Sequence, residues 1–193
     1  MADESLERLV QLVQARNPRA LGRLITMFEN SDPKASDARI LMGDVVSRGN
    51  VIGLTGAPGV GKSTLTSALI AEISKRGHTV GVLAVDPSSP ISRGALLGDR
   101  LRMQEHATDP NVFIRSMASR GHLGGLAATA DEVLGILQFA GFDYVLVETV
   151  GVGQSEVEIV DTADTVVVLL APGMGDGIRP PRLGSWRSAT SSL

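Results

Sequence analysis

The sequence predicts an α/β fold: a mostly parallel sheet with helices on both faces, preceded by a small N-terminal helical region. Three observations carry that expectation. From residue 51 onward, short runs rich in β-branched residues alternate with helix-length stretches. The runs are apolar almost throughout, as strands buried on both faces are. The first of them, VIGLT, passes through a glycine-rich turn into STLTSALIAEISKR, a helical stretch. Strand–loop–helix units of this kind build parallel sheets.

Three helical patterns come first. Leu6, Leu9, Val10 and Val13 recur at helical spacing. Pro18, suited to a first helical turn, leads into Leu21, Leu24, Ile25 and Phe28. Asp32 and Pro33 read as the cap and first turn of a third helix, with Ile40, Leu41, Val45 and Val46 inward and Gly49 just past its end. These helices form either a subdomain of their own or a layer against the sheet. Strands are expected at 51–55, 80–85, 112–116, 144–148 and 165–170, and helices near 62–76, 99–107, 126–140 and 155–162. The chain thus divides into a helical region, 1–50, an α/β domain, 51–178, and a tail, 179–193. The tail has two prolines, a lone Trp186 and a Ser/Thr cluster without periodicity, which reads as disordered.

Composition narrows the function. Hydrophobic residues make up 43% of the 193 and charged residues 20%, enough apolar material for a buried core. A net charge of −3 without any Lys/Arg block gives no electrostatic support to nucleic-acid or membrane-surface binding. No cysteine is present, so disulfides and thiolate metal sites are excluded. The start, MADESLERL, resembles neither a signal nor a transit peptide, and the longest apolar run, Val166 to Ala171, is too short to span a bilayer. A cytoplasmic protein is expected.

The glycine-rich turn carries the chemistry. Gly56, Ala57, Pro58, Gly59, Val60, Gly61, Lys62 and Ser63 match G-x-x-x-x-G-K-[ST], the P-loop pattern, with Thr64 following. Glycines let the backbone turn sharply enough for successive N–H groups to point at phosphate oxygens, and the following helix adds its dipole. Lys62 is placed to reach β- and γ-phosphates, and the Ser63 hydroxyl to ligate Mg²⁺. Chance would supply such a string in roughly one chain in a hundred of this size, but rarely between a strand and a helix. The expected fold is therefore a P-loop NTPase.

Mg²⁺ needs a further acid at a strand's carboxyl end, where parallel sheets bind ligands. Asp86 follows VGVLAV, and Glu148 ends YVLVE. Gly151 lies three residues beyond Glu148, as in an acid-x-x-Gly element whose glycine N–H senses a γ-phosphate, and Gly151 and Gly153 suit a loop that orders with nucleotide. Asp99, in GDRLRM, reads on its own as the cap of the helix that follows. His78, His106 and His122 lack metal spacing, and Arg93, Arg115 and Arg120 are candidate phosphate or partner contacts.

GAPGVGKST, AVDPSSPISRGALLGDRLRM, SRGHLGGLA, VETVGVGQSE and APGMGDGI occur in this order. Together they closely resemble the methylmalonyl-CoA mutase-associated GTPases (MeaB/ArgK), once labelled lysine/arginine/ornithine transport ATPases. The resemblance runs from the N-terminal helices through Ile178. It implies a G domain that binds GTP and GDP and hydrolyses GTP to gate loading of adenosylcobalamin on the mutase. It further implies that Lys62 and Ser63 hold phosphate and Mg²⁺, and that Asp86, Asp99 and Glu148 surround the ion and the attacking water. Gly153 and Gln154 fall in a switch, and Asp176 is the acid of a third switch that meets the partner.

The family continues past GDGI with a helix, a strand, a guanine-reading N-K-x-D element and a dimerising C-terminal arm. None of these is present in the 193 residues. RPPRLGSWRSATSSL can be encoded so that a one-nucleotide shift yields QAAKAGILEIGDLFV, a helix and the start of an apolar strand. The expectation is a frameshift after Ile178 and a product that is poorly stable and impaired in nucleotide selection. Two other readings stay open: an ATP-dependent kinase or ATPase associated with basic amino-acid transport, and an inactive fragment that binds a partner. The nucleotide sequence spanning Ile178 tests the frameshift. Codons incompatible with the shift end that idea.

Overall fold

The computed structural model describes residues 5–43, 49–86, 106, 108–118, 125–149 and 162–170. Expected helices near 99–107 and 155–162, and the tail 179–193, lie outside the described residues or nearly so.

Among the described residues five strands form one parallel sheet: β1 (Asn50–Gly56), β2 (Val80–Asp86), β3 (Val112–Ala118), β4 (Tyr144–Thr149) and β5 (Thr165–Leu169). Their order across the sheet is β3-β2-β4-β1-β5. All four pairings are parallel, with Leu54 of β1 opposite Glu148 of β4 and Ala84 of β2 opposite the same glutamate. The strands reach one or two residues beyond their expected C-terminal ends, except β5, which stops at Leu169. The apolar runs mark only the buried part of each strand, whereas the hydrogen-bond ladder runs on into the polar residues at its mouth.

Helix α4 (Lys62–Lys75) covers one face of the sheet. Ile70 and Ile73 pack there against Leu54, Val80, Val82, Val112 and Leu146. On the other face lie α1 (Leu6–Gln14), α2 (Pro18–Glu29) and α5 (Gly125–Phe139). Leu9, Val13, Leu21, Leu24 and Ile25 share one core there with Leu83, Val85, Val145, Val147, Leu134 and Leu137. The N-terminal helices are thus a layer against the sheet. Alternate strand residues feed the two cores, as the pleat requires.

Capping sets the first helices. Ser5 accepts the Arg8 N–H at 3.3 Å to start α1, and Asn17 accepts those of Arg19 and Ala20 at 3.1 Å, with Pro18 in the first turn of α2. Helix α3 (Ala35–Met42) corrects the sequence reading. Its buried residue is Ala38, while Ile40 and Leu41 are exposed, 77% and 43%. The helix stops at Gly43 with φ +65°, so Gly49 does not cap it. Gly49 instead leads into β1, where a Cβ would meet the Phe142 carbonyl oxygen at 2.3 Å. Val45 and Val46 lie outside the described residues.

Arg115, considered above as a phosphate or partner contact, is occupied within the fold. From β3 it donates to both carboxylate oxygens of Glu29 and to Thr26 Oγ1 at 3.1 Å, tying α2 to the sheet. Arg93 and Arg120 lie outside the described residues.

Two aspartates anchor the strand ends opposite the carboxyl edge. Asp143, just before β4, accepts the Thr79 N–H at 2.7 Å and its hydroxyl at 2.8 Å. The Thr79 amide is the main cause holding its carboxyl below the usual range, helped by the hydroxyl, His78 and Arg16. Asp109 is likewise lowered, first by the Ser74 hydroxyl and then by the Asn111 amide. A depressed folded pKa contributes stability that is present above the unfolded value and lost as pH falls through the folded one. Unfolding free energy should therefore decline on acidification below about pH 4. Asp143→Asn should flatten that decline in urea titrations, modestly because the side chain is half exposed.

Candidate functional site

Strand β1 ends on Gly56 and α4 begins on Lys62, so residues 57–61 make the whole connection. Gly59 and Gly61 have φ of +78° and +100°, and Gly61 is the left-handed N-cap of α4. A side chain is strained in that region. Gly56 answers to a second demand, because a Cβ there would lie 2.4 Å from the Leu169 carbonyl oxygen of β5. Ala57 and Val60 are half-buried, Pro58 and Thr64 exposed.

Lys62 is the first residue of α4 and is buried. Its ammonium donates to the carbonyls of Gly56 at 2.6 Å and Ala57 at 3.0 Å, which holds the charge at the mouth of the loop. The first N–H groups of a helix lack intrahelical partners and carry its positive pole. Together they concentrate positive potential where a polyphosphate would lie.

Glu148 comes from the carboxyl end of β4 and is buried. Its Oε1 accepts from Ser63 Oγ at 2.6 Å, and its Oε2 from Thr66 Oγ1 at 2.9 Å. Ser63 and Thr66 sit three residues apart on α4, hence on one face of the helix. Thr149, the next residue of β4, donates to the Leu54 carbonyl at 3.4 Å and fastens β4 to β1 just before the loop.

Asp86 closes β2, opposite Ala118 of β3 and two residues beyond Ala84, which pairs with Glu148. Its backbone thus ends at the same edge as Glu148 and Gly56, while its side chain is outside the described residues. Asp99, Gly151, Gly153, Gln154 and Asp176 also lie outside them. The structure therefore brings together Gly56 to Ser63 and Glu148, with Asp86 at the same edge. His106 sits 2.9 Å from Ser67 Oγ, and His78 lies beside Asp143 and edge-on to Tyr144, so both serve local contacts. His122 lies outside the described residues.

Thr66 is the residue that sequence reasoning missed. Its only signal was a hydroxyl four residues after the P-loop lysine, on the face that carries Ser63.

The donors suit Mg²⁺. Hydroxyl and carboxylate oxygens are hard ligands, and adjacent ligand oxygens around Mg²⁺ lie about 2.9 Å apart at its usual bond lengths. Ser63 Oγ and Glu148 Oε1, 2.6 Å apart, are close to that spacing. Among the described residues no three His, Cys, Asp or Glu side chains cluster. Mg²⁺ is usually held by one or two carboxylates together with substrate phosphates.

The parallel sheet, the glycine loop and the lysine at the helix start define a P-loop nucleotide-binding domain. The family model for the methylmalonyl Co-A mutase-associated GTPase MeaB matches residues 21–185. The chain is 50% identical to a Pyrococcus abyssi protein over 184 residues, covering 95% of this chain and 56% of the relative. It is 40% identical to GTPase ArgK of Escherichia coli K12 over 185 residues, covering 94% and 55%. A crystal structure described as LAO/AO transport system kinase superposes with a TM-score of 0.65 at 28% identity, over 88% of this chain and 51% of that one. The chain belongs to the MeaB family, as the motifs implied. It spans about half the length of these relatives.

Gly61→Ala places a side chain at positive φ but in open space, whereas Gly56→Ala drives one into backbone. Urea unfolding should show a loss of about 1–3 kcal/mol for Gly61→Ala and a larger loss for Gly56→Ala. Equal losses would show that β5 does not bear on the loop.

Proposed function

We propose that this chain is the nucleotide-binding part of a GTPase that binds GTP with Mg²⁺ and hydrolyses it. The observation that carries this is the Ser63–Glu148 hydrogen bond beside Lys62, at the carboxyl edge where the loop leaves β1. In this reading residues 51–178 form the nucleotide domain and residues 1–50 buttress it.

The loop amides from Gly56 to Thr64, except that of Pro58, which has no N–H, would cradle the α- and β-phosphates, and the Lys62 ammonium would turn from the loop carbonyls toward β- and γ-oxygens. Ser63 and Glu148, joined by Asp86 and Asp99, would hold Mg²⁺. When bound, that ion neutralises charge developing between the β- and γ-phosphates. Glu148 is fixed by two hydroxyls and so presents its carboxylate without reorganisation, which is how electrostatic stabilisation is best supplied. Gly151 would sense the γ-phosphate, with Gly153 and Gln154 in the same switch. Intrinsic hydrolysis is slow in such sites until a partner completes them.

The family name associates its members with methylmalonyl-CoA mutase. We infer a chaperone role toward that adenosylcobalamin enzyme, with Asp176 in the partner-facing switch. No described helix is long and apolar enough to cross a membrane, and a cytoplasmic setting is part of this reading. An ATP-using kinase is the second reading, favoured by the description of the superposing structure.

Fluorescent GDP, GTP and ATP analogues titrated with and without Mg²⁺ test the proposal. Lys62→Ala should weaken binding at least about tenfold, the worth of a charge-assisted hydrogen bond. A preference for GTP over ATP supports the first reading, and a preference for ATP the second. Binding indifferent to Lys62 would refute the site.

A further inference from the structure

We propose that Thr66 is a positioning residue for Glu148: its hydroxyl holds one carboxylate oxygen so that the other stays aimed at Ser63 and the cation. The inference rests on the Mg²⁺–nucleotide reading above and adds a residue that the P-loop pattern does not contain.

The buried residues of α4 are Lys62, Thr66, Ile70 and Ile73, a stripe facing the sheet. At Thr66 the stripe would accept valine, which has the same shape without the hydroxyl. Thr66 is fully buried, so its hydroxyl has no access to water and costs free energy unless bonded within the protein. Two acceptors lie within reach, the Lys62 carbonyl at 3.0 Å and Glu148 Oε2 at 2.9 Å. A single hydroxyl proton serves one at a time. The Lys62 carbonyl is the ordinary partner for a helical threonine one turn on. Glu148 reaches this hydroxyl from another element, 82 residues away in sequence.

The two hydroxyls on Glu148 are not equivalent. Ser63 is only partly buried, at the second residue of the helix, where its oxygen is available to a cation. Thr66 lies nearly a turn deeper, and its β-branch restricts χ1. With Oε2 fixed by Thr66, Oε1 keeps its direction while Ser63 adjusts to the ion. Without Thr66, the carboxylate would be held through Ser63 alone among these two and would lose its alignment.

The test compares Thr66→Val with Thr66→Ser in the full chain. Mg²⁺ is titrated calorimetrically into protein with GDP or a slowly hydrolysed GTP analogue. Nucleotide binding in EDTA and thermal melting are measured alongside. Thr66→Val should raise the Mg²⁺ requirement about tenfold, the worth of one hydrogen bond to a charged group. It should leave EDTA-resistant nucleotide affinity unchanged, and Thr66→Ser should behave like the parent. A folded Thr66→Val protein with the parental Mg²⁺ requirement overturns the proposal. If Thr66→Val does not fold, Thr66→Ala against Thr66→Ser takes its place, and an equal Mg²⁺ requirement in those two is the refuting result. A parent chain whose nucleotide binding ignores Mg²⁺ sinks the metal site itself, and this inference with it. A Mg²⁺-dependent parent with an indifferent valine variant sinks only the role of Thr66.

Discussion

A buried carboxylate at a strand's mouth is costly unless each oxygen finds a donor, and in this protein α4 supplies both donors to Glu148. The rest of the site depends on that meeting of sheet and helix. Parallel pairing of β1 with β4 sets Leu54 beside Glu148, and the loop departs two residues later at Gly56. Because β1 leads directly through the loop into α4, the helix that covers the sheet's face also delivers Lys62, Ser63 and Thr66 to its edge. Packing along Ile70 and Ile73 therefore fixes the site at the helix's other end.

Much of this was legible in the residues. Strands buried on both faces leave continuous apolar runs, and each of the five runs became a strand. Glu148 and Asp86 stood out because each follows such a run, and in a parallel sheet all runs end at one edge. Strand order was not legible, since β1 lying between β4 and β5 depends on how distant segments pair. Arg115 is a similar case: its partner Glu29 is 86 residues away, and a lone arginine in a strand gives no hint of it.

Two local readings failed for clear reasons. In α3 only eight residues are helical, and over so short a span the apolar period is ambiguous. Ala38, too small to weigh in the pattern, is the residue that is buried, and Ile40 and Leu41 face outward. Thr66 escaped notice because a threonine inside an amphipathic helix looks like a neutral filler. Only the approach of Glu148 from another strand gives its hydroxyl a purpose.

Gly56 and Leu169 are partners in the β1–β5 ladder, so close that a Cβ on Gly56 would run into the Leu169 carbonyl. The outermost described strand and the start of the phosphate loop are in that respect one mechanical part. A backbone carbonyl cannot swing aside as a side chain does, so a sideways displacement of β5 would press on the residue from which the loop departs.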